Sequence, residues 1–493
     1  MVPVKPFLCM LLMVPCLEAG ITNIAINTNI IIEQISSKFL SVTIDTEQIQ
    51  ANWATLNFSS LKVQALAKAL SPCYIRVGGS TADFLQFSPN SSADRDKHYI
   101  QNTFHNVRLT NFTMTAHQWD QLNQFVEYVG WDLIFDLNSL LRKNGLWLSD
   151  NAKLLLDYTT QKGYKVTGWE LGNEPNVWRE LGYNISGSDH ARDYDILHKL
   201  LNQYPQWANA VVIGPSVTML NNDYTDSYLK DFLESGGPSI VTNPTFHHYY
   251  DYGPSMTVEK FMDPKLLSNL PEQIKVAKTI ASSPPYGKVW LGETSSAYDS
   301  GAAGLTDRYV DGFMWLDKLG IAASLGIEVV IRQDFYGGNY GLIDTKTLDP
   351  NPDFWLSYLY NTLVGQDVLN VTVQDQSGYV RMYAHCTNTK RTEYLPGSIT
   401  VYGMNLKQEP SAVLFPQFVQ DVELHVYMLQ PVGVDGLKSQ TVALNGRTLM
   451  LNPDYTLPNI LTPVIVKGNF TFSQQSFGFI VIPNAGAAVC STM

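Results

Sequence analysis

Two short stretches decide the reading of this chain: Trp169-Glu170-Leu171-Gly172-Asn173-Glu174-Pro175-Asn176 and Trp290-Leu291-Gly292-Glu293-Thr294. Each is an apolar run that stops abruptly at a glutamate, which places the glutamate where a buried strand ends and a loop opens. Cleaving a sugar acetal calls for two carboxyl groups facing each other across one bond. One is an acid that protonates the leaving oxygen, the other an anion on the opposite face of the ring. A (β/α)8 barrel supplies such groups from the C-terminal ends of different strands, and Glu174 and Glu293 fit that requirement. Glu170, four residues before Glu174 and within the strand, is its rival; its position favours a structural bond inside the barrel.

Outward from these stretches, the pattern from residue 39 to about residue 365 alternates strand and helix. Apolar strands are expected at residues 39–44, 74–77, 132–137, 168–171, 210–214, 245–249, 289–292 and 329–332, with amphipathic runs such as 193–201 and 309–325 between them. Eight strand-then-helix units are the arithmetic of an α/β fold of the (β/α)8 (TIM) barrel type. Glu174 then follows the fourth strand and Glu293 the seventh. Residues 88–115 form the least regular part and are expected to be an exposed loop. Beyond residue 369 the helical pattern gives way to β-rich runs separated by turns such as Asn445-Gly446, which predicts an all-β sandwich. The expected organisation is a signal peptide at 1–19, an N-terminal strand joining the sandwich at 20–38, the barrel at 39–368 and the sandwich at 369–493.

The bulk numbers narrow the partners. A chain of 493 residues with 45% hydrophobic and 16% charged residues is globular, and its length implies two domains. The net charge of -12 argues against nucleic acid. Lys5, the apolar run from Phe7 to Cys16 and the small residues Ala19 and Gly20 read as a signal peptide, too short to span a bilayer. No later stretch is apolar for long enough to span one. Cleavage near Ala19 removes Cys9 and Cys16. Of the remaining Cys73, Cys386 and Cys490, an oxidising compartment favours one disulfide and one thiol, and Cys73 reads as a small buried hydrophobe. Sequons at Asn57, Asn90, Asn111, Asn184, Asn370 and Asn469 suit a secreted or lysosomal glycoprotein.

Further candidates lie at the same rim. His247-His248-Tyr249-Tyr250 ends the sixth strand, where a tyrosine hydroxyl can steady a nucleophile. Alternation puts His248 and Tyr250 on one face and His247 and Tyr249 on the other, and one pair must serve barrel packing. Adjacent histidines are poor metal ligands and no Cys or His cluster completes a site, so neither a metal nor a cofactor is expected. Asp45 ends the first strand, Gly78-Gly79-Ser80-Thr81 follows the second and Gly337-Gly338-Asn339-Tyr340 the eighth. Neither glycine pair continues into a phosphate-loop motif.

Residues 169–176, 247–250, 289–298 (VWLGETSSAY), 312–320 (GFMWLDKLG) and 326–333 (GIEVVIRQ) together resemble the heparanase-like glycoside hydrolases, over about residues 39 to 490. The resemblance implies a retaining endo-β-glucuronidase acting on a glycosaminoglycan, with Glu174 as acid/base, Glu293 as nucleophile and Asn173 as helper. It also implies that Asp45, His248, Tyr250, Tyr298, Gly338 and Tyr340 line the glucuronate subsite and that Cys386 pairs with Cys490. There are departures. The region matching the excised linker, residues 88–124, is short, which predicts an uncut single chain; a monomer is expected. Asp299 and Ser300 stand where vertebrate relatives have glycines. Sulfate-gripping basic residues are mostly missing: Val177-Trp178-Arg179-Glu180 and Thr218-Met219-Leu220-Asn221 lack them, and on the linker side Arg108 remains. Leech hyaluronidases of the family have a similar Tyr-x-Ser-Gly stretch, here Tyr298-Asp299-Ser300-Gly301. A sparsely sulfated or unsulfated chain, hyaluronan or low-sulfate heparan, is the expected substrate. Arg76 or Lys143, converging in three dimensions, would overturn that. The alternatives are a catalytically silent heparan-sulfate-binding relative and an exo-acting β-glucuronidase.

Overall fold

The computed structural model describes residues 20–90, 102–104, 107–282, 286–419, 422–483 and 485–491. The expected signal peptide lies outside the described residues. After strand β1 (Gly20–Gln34), eight parallel strands close into a barrel in chain order: β2 (Leu40–Asp45), β3 (Tyr74–Gly78), β4 (Asp132–Leu137), β5 (Val166–Leu171), β6 (Val211–Val217), β7 (Asn243–His248), β8 (Trp290–Thr294) and β9 (Val330–Arg332). A helix follows each: α1 (Leu61–Leu70), α2 (Ala116–Val129), α3 (Asp150–Lys162), α4 (Gly187–Leu201), α5 (Asp223–Gly236), α6 (Asn269–Ile280), α7 (Asp311–Ser324) and α8 (Pro352–Leu363). These are the eight strands expected from the sequence. Local signals start the helices. Thr115 and Gln118 form a capping box at α2, and Ser186 and Asp189 do so at α4.

The barrel interior is layered. At its N-terminal end Ile134, Ile213, Trp290, Val329 and Ile331 pack as an apolar plug. Above them the inward positions turn polar, with Arg76, Asp136, Glu170, Ser216 and Thr245 all buried. Alternation explains the split: on β7, Thr245 faces in and contacts the strand beside it, whereas Phe246 joins the helix layer.

The expected loop at 88–115 is partly regular. Phe112–Thr115 pairs in parallel with Leu85–Ser88, and Asn102–Phe104 pairs with Val107–Leu109. Leu109 and Met114 are buried, which gives this polar stretch its anchor.

The remainder is a mixed β-sheet domain. Its central strands are β10 (Val364–Val373), β11 (Val380–Thr387), β12 (Ile399–Asn405), β13 (Ser411–Leu414), β14 (Glu423–Pro431) and β15 (Ser476–Ile482), ordered β14-β15-β12-β11-β10-β1-β13. β1 runs antiparallel to β10 and parallel to β13. β12 shows why these strands are apolar on both faces: Ile399 and Val401 enter the domain's own core, while Tyr402 and Met404 face the barrel. Cys386 on β11 is bonded to Cys490, and Cys73 is a buried free thiol. All six sequon asparagines are exposed. No described helix is long and apolar enough to cross a membrane.

Candidate active site

β5 ends in a turn built to aim one carboxyl. The Gly172 amide donates to Asp136 Oδ1 at 2.8 Å, the Asn173 amide to Asp83 Oδ2 at 2.9 Å, and the Glu174 amide to the Ser216 carbonyl at 3.0 Å. Glu174 itself has φ +49°, a left-handed conformation that costs a non-glycine residue about 1–2 kcal/mol. The three bonds hold it there, half-buried, with Oε1 2.9 Å from His247 Nδ1.

Glu293, near the end of β8, is only 8% exposed. The Tyr249 hydroxyl donates to its Oε1 at 2.6 Å and Arg76 Nη1 to its Oε2 at 2.8 Å. Burial alone would raise this carboxyl, but the charges of His247 and Arg76, with hydrogen bonds from Tyr249 and Arg76, outweigh it. They hold Glu293 below the ordinary carboxylate range. Arg76 on β3 is fully buried and divides its donors: Nε to Glu170 Oε2 at 2.5 Å, Nη1 to Glu293, and Nη2 to Asn173 Oδ1 at 2.8 Å. Glu170 also accepts from Ser216 Oγ, so it makes the structural bond inside the barrel. Burial and the Glu170 charge push Asp136, 3.8 Å from Arg76, well above its ordinary value.

One carboxylate oxygen of Glu174, one of Glu293 and a ring nitrogen of His247 lie within 4.8 Å of one another. That is close to the ~5–5.5 Å of retaining glycosidases and well short of the ~6.5–9.5 Å of inverting ones. The same three groups are a candidate cation cluster. Their fit to a metal is poor, because each Glu293 oxygen already has a donor and a cation would stand against the Arg76 charge.

A pocket of about 320 Å³ opens over the two glutamates, with Asp45, Asn173, Tyr298 and Tyr340 in its wall. Gly338 lies behind the Tyr340 ring, outside the wall; a Cβ there would stand 2.6 Å from Tyr340 Cε2. His248 and Tyr250 are a correction. Both point away from the pocket, His248 Nε2 to Asn269 Oδ1 at 2.8 Å and Nδ1 to Lys318 at 3.0 Å, and Tyr250 onto Lys318 Nζ. The alternation runs the other way: His247 and Tyr249 face the carboxylates. Phe246 carried the signal, since a large apolar residue on the helix side puts 248 and 250 there too. Residues missed in the sequence include Gln333, whose Nε2 donates to Asp45 Oδ2 at 3.0 Å, and the pocket-lining Glu47 and Thr218.

The pocket is acidic. Asp45, Glu47, Glu174, Glu293 and Asp299 line it, and among the described residues no lysine or arginine does. Arg76 converges on the site from beneath. Lys143 sits on an exposed hairpin off the pocket, and the Arg108 side chain lies outside the described residues. Burial, then repulsion from Glu293, raises Asp45 to about 7 against the Gln333 hydrogen bond. Asp299, Ser300 and Gly301 are consecutive left-handed residues with φ +63°, +62° and +77°, and the Ser300 carbonyl accepts from the Asn339 amide at 2.7 Å. Asp299 and Ser300 thus take a backbone that glycine would adopt without strain.

The family model for "Glycosyl hydrolase family 79, N-terminal domain" matches residues 21–320. Heparanase of Mus musculus is 38% identical, covering 93% of this chain and 92% of its own length. Hyaluronoglucuronidase of Hirudo nipponia is 34% identical, covering 95% and 99%. Among solved structures, a 4-O-α-L-rhamnosyl-β-D-glucuronidase from Fusarium oxysporum superposes with a TM-score of 0.68 at 15% identity over 93% of this chain and all of its own, a likeness of fold. With that match and relatives similar along nearly their whole length, the chain belongs to glycosyl hydrolase family 79, the heparanase family.

Proposed function

We propose that the chain is a retaining endo-β-D-glucuronidase that hydrolyses internal glucuronidic bonds of a sparsely sulfated or unsulfated glycosaminoglycan. The carrying observation is the pair Glu174 and Glu293, within 4.8 Å over one pocket and held in unlike environments. Glu174 gives its proton to the glycosidic oxygen as the C1–O bond breaks, and a Glu293 oxygen bonds to C1. Water then attacks C1, its proton passes to Glu174, and the ester to Glu293 breaks. Asn173 Oδ1 is committed to Arg76, which leaves its Nδ2 to donate to the hydroxyl beside the reacting carbon. A catalytically silent role is disfavoured because both glutamates and their supporting groups are present. The N-terminal signal pattern, the disulfide and the exposed sequons support a secreted or lysosomal glycoprotein.

The substrate preference rests on charge. A sulfated polymer is gripped by positioned arginines and lysines, and the pocket wall offers carboxylates instead. Hyaluronan and heparans of low and high sulfation, compared at fixed ionic strength with product sizing and NMR of the first-formed anomer, test the reading. Internal oligosaccharides, the β-anomer first, and higher kcat/KM on the unsulfated chain are expected. Inversion, or release of monosaccharide alone, would refute the mechanism or the endo mode. A preference for the highly sulfated polymer that fades with salt would refute the substrate assignment.

A further inference from the structure

Lys318, on α7, is 1% exposed and has no carboxylate in ion-pair contact among the described residues. Burial, then the nearby Arg332 charge, holds this amine well below the ordinary lysine range, and a buried amine is costly unless its protons are all used. Here they are. Nζ lies 2.6 Å from the Ser295 carbonyl, 2.5 Å from Thr294 Oγ1 and 3.0 Å from His248 Nδ1, with the His248 carbonyl at 3.1 Å. Thr294 passes its own proton to the His248 carbonyl. For His248 Nδ1 to accept, its proton must sit on Nε2, which faces Asn269 Oδ1. The chain of bonds therefore runs from α6 through His248 and Lys318 to the end of β8.

His248 adjoins His247 and Tyr249, and Thr294 adjoins Glu293. The ladder is irregular at this level: the β7–β8 register slips between Phe246 and His247 before His247 pairs with Glu293 and His248 with Thr294, and the β8–β9 register slips between Leu291 and Thr294. We propose that Lys318 is a positioning residue for the reaction, a hydrogen-bonding clamp that fixes the irregular ends of β7 and β8 and sets how the Tyr249 hydroxyl and His247 ring meet Glu293 and Glu174. The proposal rests on the reading of Glu293 as nucleophile. A filler of this space would be met by an apolar side chain, as at the neighbouring Met314, Leu319 and Ile321.

If the clamp loosens, Glu293 loses part of the contact that holds its charge. The charged and titratable groups facing it are Arg76 from β3, Glu174 from the β5 turn, His247 and Tyr249 from the β7 end, Asp45 from β2, and Asp334 and Tyr340 beyond β9. Weaker Tyr249 and Arg76 contacts raise the Glu293 pKa, so the acid limb of reactivity moves to higher pH.

The test uses the full chain carrying Lys318→Met or Thr294→Val; the second keeps the shape and buries no new charge. A glucuronate-configured epoxide that esterifies the nucleophile is followed by peptide mapping, with its labelling rate per folded molecule recorded across pH. Expected are a rate lower by about tenfold or more, an acid limb raised by at least about half a pH unit, and epoxide affinity changed less than about twofold. If Lys318→Met fails to fold, Thr294→Val decides. Parental rate and parental limb in a Thr294→Val protein, with only a lower melting temperature, would overturn the clamp. Absence of label on Glu293 in the parent would overturn the nucleophile assignment and the clamp with it.

Discussion

Adjacent tyrosines give the sharpest test of the site. Tyr249→Phe deletes the hydroxyl that donates to Glu293 Oε1 at 2.6 Å. A hydrogen bond to a charged group is worth about 1.5–3 kcal/mol, and one pKa unit corresponds to about 1.4 kcal/mol. Loss of that donor should raise the Glu293 pKa by about 1–2 units. Glu293, as the proposed nucleophile, must be ionised, so the acid limb of kcat/KM should move up by the same amount. The sign is the same for stability. Glu293 has a depressed folded pKa, so it stabilises the fold above its unfolded value and that contribution is lost as pH falls through the folded value. The variant's deficit in melting temperature should therefore shrink in acid. Tyr250→Phe is the control. The Tyr250 hydroxyl has no hydrogen-bond partner among the described residues, and its ring, 4.6 Å from Lys318 Nζ, survives as phenylalanine. It should leave the acid limb in place and change stability by no more than about 1 kcal/mol. A shifted limb in Tyr250→Phe with none in Tyr249→Phe would refute the assignment of faces on which the mechanism stands.

Glu174→Gln and Glu293→Gln should each abolish nearly all turnover with melting still cooperative, and azide should partly restore a Glu293→Gly variant; rescue of Glu174→Gly alone would exchange the roles. Asp45, raised to about 7, stabilises the fold most below its unfolded value and loses that contribution as pH rises through 7, so the parent should melt lower at pH 8 than at pH 5. Asp45→Asn should flatten that fall, worth on the order of 2–3 kcal/mol, and an unchanged slope would count against a protonated Asp45. Replacing Cys386 and Cys490 by serine opens a link spanning 104 residues and should cost about 2–5 kcal/mol while leaving the kcat of the folded fraction intact; denaturant titration measures the first and a rate per folded molecule the second.

The strand-end glutamates were legible because an apolar run that stops at a carboxylate is a local pattern, and the eight strands were legible for the same reason. What failed was phase. Residues 247–250 contain two histidines and two tyrosines, and their chemistry does not say which pair faces in; Phe246 does, through packing. Arg76 sits inside an apolar strand, a sign of a buried ion pair, but its partners Glu170 and Glu293 lie 94 and 217 residues away. The stretch 312–320 could be matched to a family without its reason being visible. The structure supplies it: a Cβ on Gly312 would meet Phe477 at 2.4 Å and one on Gly320 would meet Tyr383 at 2.2 Å, so α7 lies flat against the β-sheet domain. Asp317 then reaches Arg381 and Tyr383 while Lys318 reaches the barrel. Two domains had to be in place before the spacing made sense.

Arg76 also links the chemistry to the choice of polymer. A cation beside the catalytic pair could in principle serve a substrate anion, and an arginine's planar fork suits sulfate well. Here Nε, Nη1 and Nη2 are turned toward Glu170, Glu293 and Asn173, and the residue has no exposed surface, so its charge works on holding Glu293 below the ordinary carboxylate range. Above it the pocket wall carries carboxylates, in a chain of net charge -12. A polyanion approaching such a surface is repelled, and dissolved salt screens the repulsion within about 10 Å at 0.1 M. For the unsulfated reading, kcat/KM on hyaluronan should therefore rise modestly as salt is added from low ionic strength. A basic cleft would give the opposite slope, because its attraction is what salt removes. The sign of that one slope separates a site whose cation works inward, on Glu293, from one whose cations work outward, on the substrate.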